Sequence, residues 1–436
     1  MRHAYSDRMK ALHAVLSATA AMLLASCTAG AAGHASPSGR MPSSPSGRVP
    51  SSPPGPVPSS PAAVRVTRAH AAPGCSTATA HARMLGTTGT SLEAVPGNPF
   101  GVVVNPGGRW AFVSLTDSIA VLRSGRRGVP SLVRTIHSPG QSPSGEALTS
   151  DGRYLVVAAG SGAEVIDVAR AERGAPHAVL GTLTSKSPAS AIEVALSPGN
   201  RYAFVSIEYS DEIAVFSLQR ALADGFGPSD FIGDIPAGQA AVGLAVSPDG
   251  RWLYAVSELA ASSQQSGGGP VDQGTLQVIS IRRAETDPGR SVVATVSAGC
   301  EPVRVITSPD GKVLWVTARA SDTLLGFSAA RLRTDPAHSL VARVRVGEAP
   351  VGLALVRNGT RIVVADSDRY YKTPGGAPSL AVVDVAAALA RKPALLGYLR
   401  PGGFPREMAL EAGGRTLLVT NFYLSQLDSV NLAKLP

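Results

Sequence analysis

The chain has 436 residues, 44% of them hydrophobic, 16% charged and 5% aromatic, with 46 Gly, 34 Pro and a net charge of +9. A sizeable core is within reach, but so few charges leave too little to solvate the outer faces of a helical protein, and the Gly and Pro counts point to many turns. The cation excess suits either solvated turns or attraction to an anionic surface, and with no basic helix or RNA-reading aromatic strand, nucleic acid is not expected as a partner.

Arg2, His3, Arg8 and Lys10 precede an apolar run from Ala11 to Leu24, which has the length and flanks of a signal peptide and is too short to span a bilayer. The run ends in Leu24-Ala25-Ser26-Cys27. This resembles a bacterial lipobox, which implies removal of 1–26 and a diacylglycerol on Cys27. Two acyl chains anchor stably where one does not. Residues 27–74 are rich in Ser, Pro, Gly and Ala and read as a disordered, semi-rigid stalk. A pre-propeller segment, 75–90, leads to the globular part, 91–436.

That part repeats. The segments 101–122, 243–257 and 303–327 share one grammar, and 146–168, 193–218, 352–367 and 408–432 follow it less closely. A basic turn residue recurs at Arg109, Arg153, Arg201, Arg251, Lys312, Arg361 and Arg415. In each copy a short apolar strand meets a Pro-Asp-Gly-type turn. A β-branched second strand, a third strand and a more polar fourth follow. Four strands per copy of roughly 40–50 residues predict an all-β, seven-bladed β-propeller of antiparallel four-stranded blades. The chain stops after a third strand, so Ser91–Val95 is expected to complete the last blade and close the ring.

Leu418-Val419-Thr420-Asn421, and less closely Trp315-Val316-Thr317-Ala318 and Tyr254-Ala255-Val256-Ser257, carry a resemblance to the YVTN-type, lactonase-like seven-bladed propeller repeats. The resemblance runs from about Leu92 to Leu432. It implies the architecture and, as one possible activity, hydrolysis of a small cyclic ester or sugar lactone at the channel mouth, with Glu301, Arg304, Arg406 and Glu407 as the residues concerned. Fold does not fix function.

In such a ring the second-to-third and fourth-to-first connections share one face, the top. Charged residues at the starts of inner strands then border the channel mouth: Glu146, Glu193, Glu301, Arg304, Arg406 and Glu407. They suit a bidentate grip on a carboxylate or phosphate, or mutual pairing around a water-filled channel. Two insertions, Ala260–Gly274 and Ser367–Pro378, fall on the same face. The second brings Arg369, Tyr370 and Tyr371, a stacking surface with hydrogen-bonding tips. Asp366-Ser367-Asp368 reads as a solvated turn rather than a Ca²⁺ site. The turn cations, with loop arginines such as Arg173, Arg220 and Arg331, make the opposite face basic.

Zinc, dinucleotide and nucleophile-elbow patterns are missing from the sequence, so no metal, no cofactor and no catalytic residue is assigned. Cys75 and Cys300 either form a disulfide, favoured by export, or remain separate thiols. The leading expectation is a monomeric, exported, lipid-anchored binding or scaffold module of the cell envelope, meeting a small ligand, an envelope protein or anionic wall polymer. The rivals are the lactonase-like hydrolase and an accessory propeller of a redox enzyme.

Overall fold

A computed structural model of the chain describes residues 66–69, 75, 80–85, 90–125, 129–260, 273–370 and 377–436. The segment expected to be a signal peptide, Cys27, most of the expected stalk, the core of the blade-four insertion and Tyr371 lie outside the described residues.

The Pro-Asp-Gly turns show why the hairpins form where they do. In Ser247–Arg251 and Ser308–Lys312 the aspartate accepts the serine hydroxyl at 2.6 Å and the N–H two residues on at 3.1 Å. The serine oxygen then takes the N–H of Trp252 or Val313 at 3.0 Å. Gly250 and Gly311 sit at φ +68°, which a Cβ would strain. The Ser308 hydroxyl, with the Lys312 N–H, holds the Asp310 carboxyl down to about 2.

Seven sheets result, each ordered from first to fourth strand outward. The inner strands are Val102–Val104, Glu146–Leu148, Ala191–Leu196, Gln239–Val246, Pro302–Thr307, Pro350–Val356 and Pro405–Leu410. In blade seven the outermost strand is Thr90–Ala94, paired antiparallel with Gln426–Asn431 from Thr90↔Val430 to Ala94↔Gln426. The second and third strands are nearly continuous buried runs, because each is covered on both faces by neighbouring blades. Tyr254, Val278, Leu314, Val316 and Phe327 form one such inter-blade layer.

Hydroxyls stitch alternate blades to the next. Ser206 Oγ donates to the Val242 carbonyl at 3.0 Å, Thr317 Oγ1 to Val351 at 2.7 Å, and Thr420 Oγ1 to Phe100 at 2.9 Å. The last of these joins blade seven to blade one.

Two local expectations change. The third-to-fourth connections of blades two to six are not plain loops but short helices, at Val168–Arg173, Leu218–Asp224, Ile281–Ala284, Arg331–Thr334 and Val385–Leu389. Asp167, Ser217 and Asp384 cap three of them, and Val168, Leu218 and Ala388 are buried beneath them. At under two turns they are too short to show a helical period. The stalk reading also extends too far. Val66–Thr67 pair in parallel with Thr295–Val296 on the outer strand of blade four, and Ala69 is buried in the adjoining core. The β-branched run Val64-Arg65-Val66-Thr67 was masked by its Pro- and Ala-rich surroundings.

Candidate functional site at the channel mouth

The repeat register organises the channel. Eight residues before each turn cation (before Thr360 in blade six, whose turn is one residue longer) stand Gly101, Gly145, Glu193, Gly243, Arg304, Gly352 and Glu407. The inner strands of blades three, four, five, six and seven all shift register by a bulge here, and bulges re-aim side chains. At the glycines the backbone of the next blade comes close: a Cβ on Gly352 would lie 2.0 Å from the Arg406 carbonyl oxygen, and one on Gly243 2.6 Å from that of Val303. Small residues in four blades leave room for the three charged side chains of the others.

Those three meet across the channel. Arg304 from blade five is 6% exposed and places Nε 3.3 Å from Glu193 of blade three and in contact with Glu407 of blade seven. The Arg304 Nη1 donates to the Val303 carbonyl at 3.1 Å, while Nη2 is buried without a partner. Burial opposes the Arg304 charge, but Glu407 and Glu193 outweigh it and raise its pKa. Glu193 is pushed up to about 7, mainly by burial, with Arg304 opposing and Glu407 adding to the rise. Glu146 is buried against blade one with both carboxylate oxygens unpartnered. Burial, reinforced by Glu193 and opposed by the Ser114 and Val103 backbone, raises its pKa well above the usual carboxylate range.

A second tier lies above, seven residues after the turn cations: Glu208, Glu258, Arg319 and Phe422 in blades three, four, five and seven. Arg319 Nη2 is 2.9 Å from both Glu258 and Glu301. Its Nε donates to the Tyr370 hydroxyl at 3.0 Å, and that hydroxyl donates to Glu301. Burial works against the Glu301 charge, yet Tyr370 and Arg319 prevail and hold its pKa below the ordinary value. Exposed Arg369 adds a cation near Glu208 and Glu301. Arg319, Glu258 and Glu208 were missed from sequence, although counting the repeat register past the second strand finds all three.

Arg406 stands apart. Nine residues before the turn cation, other blades place Phe100, Ser144, Val242, Val303 and Val351, all buried, and the partly buried Ile192; blade seven places a guanidinium. Its carbon lies 3.7 Å from the Phe100 ring centroid and 5.3 Å from that of Phe422. Among the described residues Arg406 makes no salt bridge, and its Nε is buried without a hydrogen-bonding partner. Burial, with Arg304 beside it, presses its pKa down to about 9. A guanidinium resists deprotonation, so the unmet demand is for an anion. Phe404, Phe422 and Tyr423 pack beside it, with Phe404 and Tyr423 centroids 4.6 Å apart.

The structure therefore brings Glu193, Arg304, Arg406 and Glu407 together, sets Glu301 and Tyr370 in the tier above with Arg369 near them, and leaves Asp366 out. Asp366 is buried at the end of a second strand, where it accepts the Ser379 hydroxyl at 2.8 Å, and burial raises its pKa well above normal. Asp366-Ser367-Asp368 is thus no solvated turn: all three residues are buried. The strand continues to Asp366, and Ser367 then donates to the Ala349 carbonyl of the neighbouring connection at 2.8 Å. Among the described residues no group of three or more His, Cys, Asp or Glu is placed to hold a metal ion. Cys75 and Cys300 are joined in a disulfide, Cα atoms 5.4 Å apart.

Residues 193–370 match the family model described as "Lactonase, 7-bladed beta-propeller". No curated protein matches the sequence. Among solved structures the chain is similar to Kuenenia stuttgartiensis hydrazine synthase, with a TM-score of 0.59 and 16% identity over 81% of this chain and 99% of that one. This last likeness is one of fold.

Proposed function

We propose that this lactonase-like seven-bladed propeller is a binding module whose top mouth takes a small anionic ligand, a carboxylate or a phosphate, on Arg406. The observation that carries this is a guanidinium in a position that is apolar in five of the other six blades and a serine in the sixth, lying over the Phe100 ring, with a buried Nε that nothing satisfies. Buried donors without acceptors are costly, and an Arg fork matches a planar or tetrahedral anion. Beside the ligand, the Glu193–Arg304–Glu407 cluster ties blades three, five and seven together. The aromatic wall of Phe422 and Tyr423 suits an apolar or ring-shaped body.

A second reading, hydrolysis of a small cyclic ester, is favoured by Glu193: a carboxyl held at about 7 is matched to general-base work near neutrality. One experiment separates the two. The full chain is titrated calorimetrically with inorganic phosphate, gluconate and gluconolactone, and lactone turnover is followed in parallel. The binding reading expects an anion to bind, Arg406→Ala to weaken it at least tenfold, and no turnover. Turnover lost in Glu193→Gln moves the assignment to the hydrolase. Equal anion affinity in wild type and Arg406→Ala, or no anion binding at all, removes the Arg406 site.

The reading places the module outside the cytoplasm, held to the membrane by diacylglycerol on Cys27. Mass spectrometry of the amino-terminal peptide from the membrane fraction checks this. An unmodified Cys27, or a retained 1–26 segment, refutes the anchor.

A further inference from the structure

The stretch before the first blade is fastened along the outside of the ring. Val66–Thr67 add to blade four, and the Ala69 N–H donates to Ser297 Oγ at 3.0 Å. Further on, the Ala80 N–H donates to the Val346 carbonyl at 3.1 Å, and the Tyr398 hydroxyl donates to the Ala80 carbonyl at 2.6 Å. The Leu85 N–H reaches the Tyr398 carbonyl at 2.7 Å, and the Tyr398 N–H reaches that of Arg83 at 3.0 Å. Residues 90–94 then become the outer strand of blade seven. The strap thus touches blades four, six and seven and the connection leaving blade five. Its covalent fixing among the described residues is the Cys75–Cys300 bond.

Cys300 is fully buried, and the next residue is Glu301. Glu301 holds a left-handed backbone at φ 48°, a conformation that a side chain adopts only where its surroundings enforce it. It clasps Arg319 twice: its carbonyl accepts the Arg319 N–H at 2.9 Å, and its carboxylate accepts the guanidinium and the Tyr370 hydroxyl. The disulfide therefore ends one peptide bond away from the residue that fixes the upper tier of the mouth.

We propose that the Cys75–Cys300 disulfide is a redox-sensitive buckle: closed, it fastens the strap and clamps Glu301; opened by a dithiol, it frees the strap at Cys75 and loosens the Glu301 clasp on Arg319 and Tyr370, weakening the top-mouth site. This rests on the reading of that mouth as the binding site. In the opening step a dithiol thiolate attacks the half-buried Cys75 sulfur, and the S–S bond breaks with Cys300 as leaving group. The second thiol closes the dithiol into its own disulfide. Two electrons and two protons pass to Cys75 and Cys300, and the dithiol is oxidised by the same number.

The test compares the full chain oxidised, treated with dithiothreitol, and as Cys75→Ser. Amide hydrogen exchange, limited trypsin digestion and phosphate titration are read for each. Reduction and Cys75→Ser are both expected to speed exchange of the Arg319 amide at least tenfold and to open cleavage after Arg68 and Arg83. Exchange at Val156 in blade two, across the ring and away from the strap, should stay unchanged. Phosphate affinity should fall at least threefold. Two new thiols without faster Arg319 exchange, or no new thiols under native conditions, overturns the buckle. The expected exchange change with no phosphate binding in either state leaves the buckle standing and sinks the anion-site reading instead. The exchange change with equal phosphate affinity in both states overturns the link between buckle and mouth.

Discussion

The Arg406 guanidinium carbon lies over the Phe100 ring, 3.7 Å from its centroid, one residue on the last blade and the other leading into the first, beside the hydroxyl of Thr420 that bonds the Phe100 carbonyl. The seam that closes the ring is thus also the wall of the candidate site. A cation over an aromatic face is worth about 0.5–2 kcal/mol, less than the several kcal/mol that burying an uncompensated ion costs. Arg406 is therefore a local expense to stability, and such features concentrate at functional sites.

Replacing Arg406 by Met keeps the length and removes the charge. The variant should unfold at higher denaturant concentration than wild type, by about 1 kcal/mol, while losing anion binding. In addition, phosphate should raise the wild-type melting temperature and leave that of Arg406→Met unmoved. A variant less stable than wild type would show that the guanidinium is already compensated within the fold.

The Arg304 cluster should behave in the opposite way. Removing one partner of a buried ion pair leaves the other charge stranded, at about 3–5 kcal/mol. Arg304→Met strands two carboxylates, whereas Glu407→Gln leaves Arg304 with Glu193. Equilibrium denaturation should therefore rank Arg304→Met as the more damaging, and Glu193→Gln in the Arg304→Met background should recover part of the loss. Equal losses from the two single variants would contradict a shared cluster.

Much of this architecture was legible in the sequence because each blade carries the same turn chemistry; the Ser-Pro-Asp-Gly segments at 247–250 and 308–311 set the period. The channel residues were legible in part, since Glu193, Arg304 and Glu407 interrupt apolar strands. What the pattern did not reveal was pairing across blades. Arg319 reads as one more polar loop residue until Glu258, from the end of a blade-four strand, and Glu301 and Tyr370, from two connections, converge on it. Asp366 failed for the complementary reason: its neighbours made it look like a loop, but it is the last residue of the second strand.

The raised carboxyls predict a pH dependence with a definite sign. Glu193, pushed up mainly by burial to about 7 from 4.5, holds a proton in the folded chain that the unfolded chain has released across that interval. Stability is then greatest near pH 4.5 and falls as pH rises to about 7. Glu146 and Asp366, also raised by burial, pull in the same direction. Glu193→Gln, which mimics the protonated form, should flatten the slope by at most about 3 kcal/mol over the interval. Melting curves from pH 4.5 to 8 measure it, and a wild-type stability that climbs across that range would refute the assignment.

The face opposite the mouth carries the turn cations, and their pairing bears on the proposed contact with anionic wall polymer. Arg201 is held by Glu285 at 3.2 Å, Lys312 by Asp310 at 3.2 Å, Arg361 by Asp384 at 2.8 Å, and Arg251 more loosely by Asp249 at 3.9 Å. Arg109, Arg153 and Arg415 are exposed and make no salt bridge among the described residues. Exposed pairs contribute little and compete weakly with another anion, so the unpaired three should dominate any attraction. Sedimentation with purified anionic wall polymer should show binding that declines as salt is raised from 50 to about 300 mM, where the Debye length falls below 10 Å. Changing Arg109, Arg153 and Arg415 together to Gln should weaken binding at least tenfold at low salt and leave phosphate binding at Arg406 intact. Binding that ignores salt, or that survives the triple change, would assign the contact to some other surface.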